Sequence, residues 1–362
     1  MTDAAQAEVE SGATPDTEPP PPTAPENISV SLRGFDTEEH ARTFGNLVAT
    51  YIRALSRYID MSALDGITIA ADYTLALLEL DRGYETNHKL TPSEGIAMGV
   101  AMTPAVIRNG NVKSHILFNA GVLLPLEDEK NELFKQALHT LAHECAHVEV
   151  TERFNAAFPG VLLQSKSPNL HAHCRWEIIK ACWDEYAVTQ ICAPFGQRPT
   201  DGYEETFIAA LDQTRPQANG CIRAYRLHGN LEQVIAEVYG AYGELMKFAS
   251  YHLGNLTGLG LTLNDVPKTA AALSGHWFEP FFGKLKRALG DIAAGYGEWT
   301  DRSAFEALGD VADEIVADGE MTISNHRDDG TFHVDIPFTP NTMPEYVLAE
   351  LIETLSGNVP VT

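Results

Sequence analysis

The sequence lacks several features that would point to membrane or extracellular proteins. It has no run of 18 consecutive apolar residues, the length at which a transmembrane helix becomes a candidate. The first residues carry no basic cluster, and no apolar segment follows them, so no secretory signal is expected. Five cysteines form no CxxC pair, and their odd number argues against a disulfide framework. We therefore expect a cytoplasmic protein with reduced thiols and no membrane partner.

Basic charge is also scarce. The chain has 25 basic and 50 acidic residues, which gives a formal net charge of −25. Such a surface repels phosphate backbones, so no nucleic acid partner is expected. The sequence contains no GxGxxG fingerprint, no P-loop and no GxSxG elbow, which removes the commonest nucleotide-binding and serine-hydrolase signatures. Nothing in the sequence predicts an oligomeric state.

The N-terminal segment differs in composition from the rest. Residues 1–27 hold six prolines and no Lys or Arg. A stretch this polar cannot bury enough apolar surface to offset the entropy lost on ordering. The sequence therefore predicts a disordered, acidic, Pro-rich tail over residues 1–27.

Hydrophobic periodicity and turn residues predict the order of the elements after the tail. Asp36-Thr37-Glu38-Glu39 is typical of a helix start, and Asn109-Gly110 of a hairpin turn. The predicted extended segments are 66–80, 95–107 and 112–118. The predicted helices are 127–154, 171–192, 231–253, 277–294, 302–317 and 344–355. A last hairpin, 321–324 with 331–338, is predicted around Asp328-Asp329-Gly330.

The segment His143-Glu144-Cys145-Ala146-His147 carries the main chemical signal. Residues i and i+4 share one face of a helix, so His143 and His147 can both bind one Zn²⁺. Glu144 lies about 100° round the helix, off the metal but near enough to take a proton from a zinc-bound water. This HExxH pattern predicts a metal-dependent hydrolase with Glu144 as general base.

The rest of this helix suits an active-site position. An apolar face lies opposite the histidines and is made by Phe134, Ala137, Leu138, Leu141, Cys145 and Val148. One face can then pack in the core while the other lines a cleft. His139 extends the histidine row, but three ligands over two turns span about 12 Å, too far for one ion. We therefore expect His139 to line the cleft.

The third metal ligand must come from another element. The longer HExxHxxGxxH pattern is absent, because Val150 and Arg153 stand where its Gly and third His would be. The next helix offers Glu177, Asp184 and Glu185. On a helical wheel Glu177 and Asp184 lie with Lys180 in a polar wedge, whereas Glu185 lies on the apolar side, where an unpaired carboxylate is costly. Metal binding by Glu185 explains that position; His171 and His173 are the next candidates.

These features resemble the zincin metallopeptidases of the gluzincin branch, over about residues 37–195. Trp183-Asp184-Glu185-Tyr186-Ala187 is loosely similar to the Glu-bearing helix of the ImmA/IrrE-like group. The resemblance implies that His143, His147 and Glu185 bind zinc and that Glu144 is the general base. It also implies that an edge strand, 114–119, binds an extended peptide. It does not select an oxyanion donor; the candidates considered are Tyr186, His228, Tyr239, Tyr242 and His252.

Together the patterns predict an α+β fold: a zincin-like domain over 28–260, with a small sheet and active-site helices, followed by a mostly helical extension over 261–362 that contains the hairpin and last helix. The predicted function is zinc-dependent hydrolysis of peptide bonds in a protein or peptide substrate. The alternative is a catalytically inactive zincin-like domain that binds metal or regulates a partner. The sequence does not identify the substrate.

Overall fold

The computed structural model of the protein describes residues 19–92, 99–325 and 331–344. Within these ranges the chain forms a small sheet packed against many helices, so the predicted α+β class is confirmed at that level. None of the helices in these ranges is both long and apolar enough to cross a bilayer. The helix predicted at 344–355 lies outside the described residues.

A mixed sheet forms the N-terminal half. Its strands are β1 (Val30–Arg33), β2 (Leu64–Ala70), β3 (Ala101–Met102), β4 (Ala105–Arg108) and β5 (Asn111–Asn119). β1, β2 and β5 are parallel neighbours, and β3 and β4 both run antiparallel to β5 on its other side. The expectation that 114–119 is an edge strand is therefore wrong. β5 is central, and the interrupted strand β3–β4 forms that edge of the described sheet.

The turn between β4 and β5 follows the sequence closely. Asn109 and Gly110 both have positive φ, 52° and 81°, as a type I′ hairpin turn requires. Arg108 pairs with Asn111 across it. The hairpin predicted from Asn109-Gly110 is confirmed.

Ten α-helices lie in the described ranges. They are α1 (Glu38–Leu55), α2 (Tyr73–Leu78), α3 (Ala120–Leu123), α4 (Phe134–Ala157), α5 (Leu170–Cys192), α6 (Thr200–His228), α7 (Leu231–Gly258), α8 (Pro267–Leu273), α9 (Glu279–Ala294) and α10 (Ser303–Asp318). A hairpin of β6 (Thr322–Asn325) and β7 (Phe332–Asp335) follows, where the last hairpin was predicted. α1 begins where predicted, with Thr37 accepting a hydrogen bond from the His40 amide.

Two predicted elements have different limits. The extended segment 66–80 ends as a strand at Ala70, because Asp72 caps α2 by accepting a hydrogen bond from the Leu75 amide. The helix predicted from residue 127 begins at Phe134. Asp128 and Asn131 accept bonds from amides two residues on, and such local bonds compete with the helical pattern.

Residues just before position 28 contact the end of α1. The Thr23 hydroxyl donates to the carbonyls of Ser56 and Ile59, at 2.8 and 3.1 Å, and accepts from the Met61 amide at 2.9 Å. Ala24 is buried. Residues 19–27 therefore lie against the end of α1.

One hydrophobic core joins the two halves of the chain. It runs from Phe44 on α1 through Leu141 on α4 and Ile178 on α5 to Ile315 on α10. Residues on both sides of position 260 contribute to this core. Helix α4 packs on β5 with one face and on α5 with another.

α5 and α7 cross at very short range because glycines on α7 face α5. A Cβ at Gly254 would stand 2.2 Å from both the Tyr186 carbonyl oxygen and the Thr189 hydroxyl. A Cβ at Gly243 would stand 2.6 Å from Ile178. This close approach brings Tyr251 of α7 against the face of α5 that carries Glu185.

Candidate metal centre

The histidines of α4 point away from its buried face. Ala137, Leu141, Cys145 and Val148 are fully buried against the core, as the periodicity predicts. His143 and His147 lie one turn apart on the other side, with their Nε2 atoms 3.2 Å from each other. The helix thus presents two ring nitrogens side by side at a cavity.

Glu185 of α5 lies opposite this pair. Its Oε2 is 3.6 Å from His143 Nε2 and 3.9 Å from His147 Nε2. Glu177, on the same helix, is exposed and bonded to Lys180 at 3.2 Å. The structure therefore brings Glu185, and not Glu177, to the two histidines.

The three ligand atoms have the spacing of a metal site. Bonds of 2.0–2.2 Å in a tetrahedron place ligand atoms roughly 3.3–3.6 Å apart, and the observed separations are 3.2, 3.6 and 3.9 Å. Glu185 Oε2 is buried and accepts no hydrogen bond. A buried carboxylate oxygen without a partner is costly, and a bound cation would compensate it. The residues present therefore fit a divalent metal.

Other side chains hold these ligands in place. His147 Nδ1 donates to Asp184 Oδ2 at 3.0 Å, the carboxylate–histidine arrangement that orients a metal-binding imidazole. The Tyr251 hydroxyl adjoins the Glu185 carboxylate in the same cavity. The Tyr251 ring also stacks parallel to His143, with centroids 6.0 Å apart. Each ligand thus has a neighbour that restricts its orientation.

Glu144 lies beside the ligand cluster. It is 6% exposed, and one carboxylate oxygen lies within 4.8 Å of a ring nitrogen of both His143 and His147. The Thr103 hydroxyl donates to its Oε2 at 2.7 Å. Burial raises the pKa of Glu144 above its ordinary value, while His147 and Thr103 oppose the rise. A carboxylate in this position can accept a proton from a water held by the metal.

Burial and neighbouring charges act in opposite directions on the two histidines. Burial lowers the pKa of His143, and the nearby His147 and His139 lower it further. Burial also disfavours the His147 cation, but Asp184, Glu185 and Glu144 outweigh it and raise the pKa of His147. Burial raises the pKa of Glu185, against the charge of His147. Burial and the charges of neighbouring groups therefore shift the pKa values within this cluster in different directions.

His139 lines the cleft, as expected. Its Nδ1 donates to the Phe195 carbonyl at 3.1 Å, and its Nε2 accepts from the Tyr203 hydroxyl at 3.4 Å. With His143 and Cys192 it forms a second group whose atoms are close enough for an ion. That group would use His143 Nδ1, which is 3.8 Å from Cys192 Sγ, and burial raises the thiol pKa well above its usual value. The cluster with Glu185 is the better candidate, because its buried carboxylate oxygen has no hydrogen-bond partner.

Three residues of the site, Thr103, Tyr203 and Tyr251, are absent from the sequence analysis, and a fourth, Asp184, has a different position there. Thr103 comes from the edge strand, Tyr203 from α6 and Tyr251 from α7, and none was among the donors considered. Asp184 was placed on a solvated wedge, yet it contacts His147. Its position directly before Glu185 is the only local signal that could have suggested this role.

The cleft has two lobes. The metal lobe, about 500 Å³, is lined by His143, Glu144, His147, Glu185, Tyr203 and Tyr251. The apolar lobe, about 920 Å³, is lined by Val150, Phe154, Val161, Trp176, Trp183 and Phe305. Thr103, Asp184 and Glu185 line both, so the two lobes meet at the candidate metal site.

A second polar arrangement resembles a nucleophile–base pair but is closed to substrate. Thr68 Oγ1 lies 3.0 Å from His115 Nε2, and His115 Nδ1 lies 2.9 Å from Asp65 Oδ2. Thr68 is only 3% exposed, and Asp65 is shared with Arg108 at 2.9 Å. These bonds join β2 to β5 and serve the sheet.

The groups at the start of α5 are also structural. His171 Nε2 lies 2.9 Å from Asp313 Oδ1, and Cys174 is buried in the core. Neither lies near a third ligand in the described part of the chain.

Comparison of the chain with family models, curated proteins and solved structures finds no match.

Proposed function

We propose that this protein is a zinc-dependent peptidase of the zincin type, with His143, His147 and Glu185 as ligands and Glu144 as general base. The observation that carries the proposal is the convergence of three ligand atoms within 3.9 Å, one of them a buried oxygen without a partner. Two histidines and one glutamate form a known ligand set of catalytic zinc, which leaves a fourth position for water or substrate.

The donor set favours a transition metal over Mg²⁺ and Ca²⁺, which prefer oxygen ligands alone. The HExxH spacing on one helix is the feature that favours Zn²⁺. When bound, zinc polarises a peptide carbonyl and lowers the pKa of a water molecule. Asp184 accepts a hydrogen bond from His147 and Tyr251 stacks on His143, so both imidazoles are kept in orientation for that role.

Glu144 supplies the proton transfer. Its carboxylate removes a proton from the attacking water, so the water oxygen forms a bond to the peptide carbon. As the C–N bond breaks, Glu144 returns that proton to the leaving nitrogen. Thr103 holds Glu144 Oε2 at 2.7 Å, which fixes the carboxylate beside the ligands.

The edge strand next to the metal lobe is β3, not β5. Val100, Ala101 and Met102 line this lobe, and β3 pairs with β5 on one side only among the described strands. An extended peptide can add to the outer side of β3 by main-chain hydrogen bonds. We therefore assign peptide binding to residues 100–103 and not to 114–119, the strand that the resemblance implies.

The test is the substitution Glu144→Gln. It should retain zinc, because the three ligands remain, and lose peptide hydrolysis by about three orders of magnitude or more, because the base is removed. Zinc content is measured by mass spectrometry, and turnover on a mixture of quenched fluorescent peptides. Unaltered turnover of the variant would contradict the role of Glu144. Stoichiometric zinc without turnover in the wild type would favour the inactive, regulatory alternative.

A further inference from the structure

The apolar lobe is large and lies directly beside the candidate metal. Val150 and Phe154 on α4 are one and two turns beyond His147, so they continue the wall that carries the ligands. On α5, Trp176 and Trp183 line the same space. A group in this lobe would adjoin the scissile bond of a peptide held at Glu185.

The volume of the lobe exceeds the need of one side chain. At about 920 Å³ it is near the upper end of the roughly 300–1,000 Å³ typical of pockets that bury a whole small ligand. Its aromatic walls favour burial of a large apolar group. The remaining space and the mouth can therefore take a neighbouring residue of the substrate.

Cationic side chains stand at the edge of this lobe. Arg82, Lys166 and Lys180 line it, and Lys180 is bonded to Glu177. Arg82 donates to the His88 carbonyl and lies over the Tyr84 ring. Among the described residues no carboxylate is within 4.0 Å of Arg82 or Lys166.

The carboxylates of the lobe are already engaged. Glu177 pairs with Lys180, Asp184 with His147, and Glu185 faces the two histidines. Arg82 and Lys166 are therefore the cations available to a ligand, on a chain whose formal net charge is −25. An incoming carboxylate would gain charge-assisted hydrogen bonds there.

We propose that the apolar lobe binds a large apolar side chain of the substrate next to the scissile bond, and that Arg82 and Lys166 bind a carboxylate one or two residues farther along. This proposal rests on the proposed peptidase function. The carboxylate has two possible sources, an Asp or Glu side chain within the peptide or the free C-terminus. An internal side chain makes the enzyme an endopeptidase with acidic preference, and a free C-terminus makes it act near chain ends.

The experiment measures binding and turnover with four matched peptides. Each carries Phe at the position to be buried, followed by Asp or Asn, and ends in a free acid or an amide. Equilibrium binding is measured on the Glu144→Gln protein with zinc, which retains the ligands. Turnover is measured on the wild type. One charge-assisted contact is worth about 1.5–3 kcal/mol, so we expect about 10-fold or more tighter binding of the peptides with the recognised carboxylate.

The variant R82Q/K166Q should abolish this preference while it leaves binding of the neutral Asn-amide peptide within about two-fold of the unsubstituted protein. K180Q is the matched control, because Lys180 lines the same lobe but is already paired. Preference for the Asp peptides identifies an internal carboxylate, and preference for the free acids identifies the C-terminus. Equal binding of all four peptides contradicts the proposal, as does a preference that R82Q/K166Q retains.

A second variant tests the apolar part. V161W should narrow the lobe and weaken binding of the Phe peptides several-fold relative to otherwise identical Ala peptides. The thermal unfolding midpoint of the variant shows that it is folded. Binding with the expected preferences but without turnover in the wild type would support this recognition and contradict the peptidase function. Turnover without any preference would support the peptidase function and contradict this recognition.

Discussion

Two polar clusters share helix α5, and they differ in one respect. Near the start of the helix, Asp313 of α10 accepts bonds from His171 Nε2 at 2.9 Å and from the Tyr239 hydroxyl at 2.6 Å, both at Oδ1. Its Oδ2 is bonded to Arg175. Near the end of the helix, Glu185 Oε2 faces two histidines and accepts no hydrogen bond.

The difference separates a structural cluster from one that is completed by a ligand. Every acceptor atom of Asp313 is used, and the bonds join α5, α7 and α10. The Asp313 cluster therefore stabilises the fold by itself. The Glu185 cluster keeps an unpartnered oxygen and two close imidazoles, an arrangement that is costly until a cation binds. Substitutions in the two clusters should accordingly affect different quantities.

The largest effect is expected from Glu185→Ala. It removes one of the three proposed ligands, so zinc should bind more weakly by roughly 3 kcal/mol, over 100-fold. Competition with a chelating dye measures this affinity. The added thermal stability that zinc gives the wild type should also disappear. If the variant binds zinc like the wild type, Glu185 is not a ligand.

Asp313→Ala should act on the free energy of unfolding instead. It leaves His171 and Tyr239 without their acceptor, whereas Arg175 keeps Glu306 and Asp310, so the cost should be about 1–3 kcal/mol. Zinc affinity should stay within about two-fold of the wild type. Urea unfolding and the dye competition test both expectations, and a large loss of zinc affinity would mean that the two clusters are not separable.

The Asp313 cluster should also give an acid dependence of stability. Burial disfavours the carboxylate, but bonds from His171, Tyr239 and Arg175 outweigh it and lower the pKa of Asp313. A lowered pKa contributes stability above the ordinary value for Asp, about 3.9, which is lost as the pH falls through the lower folded value. The wild type should therefore lose its advantage over Asp313→Ala below about pH 4. An advantage that persists unchanged to pH 2 would contradict the assigned role.

Asp184→Ala should have an intermediate effect on zinc. It removes the acceptor of His147 Nδ1, and loss of such a partner typically costs 10–100-fold in metal affinity. The dye competition again measures it. An unchanged affinity would show that His147 is oriented by its packing alone.

The smallest effect is expected from Glu177→Ala, the matched control on the same helix. Glu177 is exposed and contacts only Lys180 among the groups of the site. The free energy of unfolding should change by no more than about 0.5 kcal/mol, and zinc affinity should not change. A loss of zinc in this variant would place the metal on the other face of α5.

The sequence was sufficient to predict features that depend on residues close together in the chain, such as the face of a helix on which a side chain lies. Helical periodicity gave the phase of α4 and α5, and so distinguished Glu185 from Glu177. It did not give Thr103 or Tyr251, because their contacts to Glu144 and Glu185 depend on strand order and on the close α5–α7 crossing. The same limit explains the wrong edge strand: alternation within 114–119 does not reveal that β2 and β3 lie on its two sides.

The central claim, a zinc ion held by His143, His147 and Glu185, is tested most directly by zinc quantification and X-ray absorption on the purified protein. We expect one zinc per chain with only nitrogen and oxygen ligands, at 2.0–2.2 Å. Glu185→Ala should lose that ion and Glu177→Ala should keep it. A sulfur ligand near 2.3 Å would assign the metal to Cys192 with His139 and His143 instead. Absence of bound zinc from the wild type after exposure to excess metal would contradict the claim altogether.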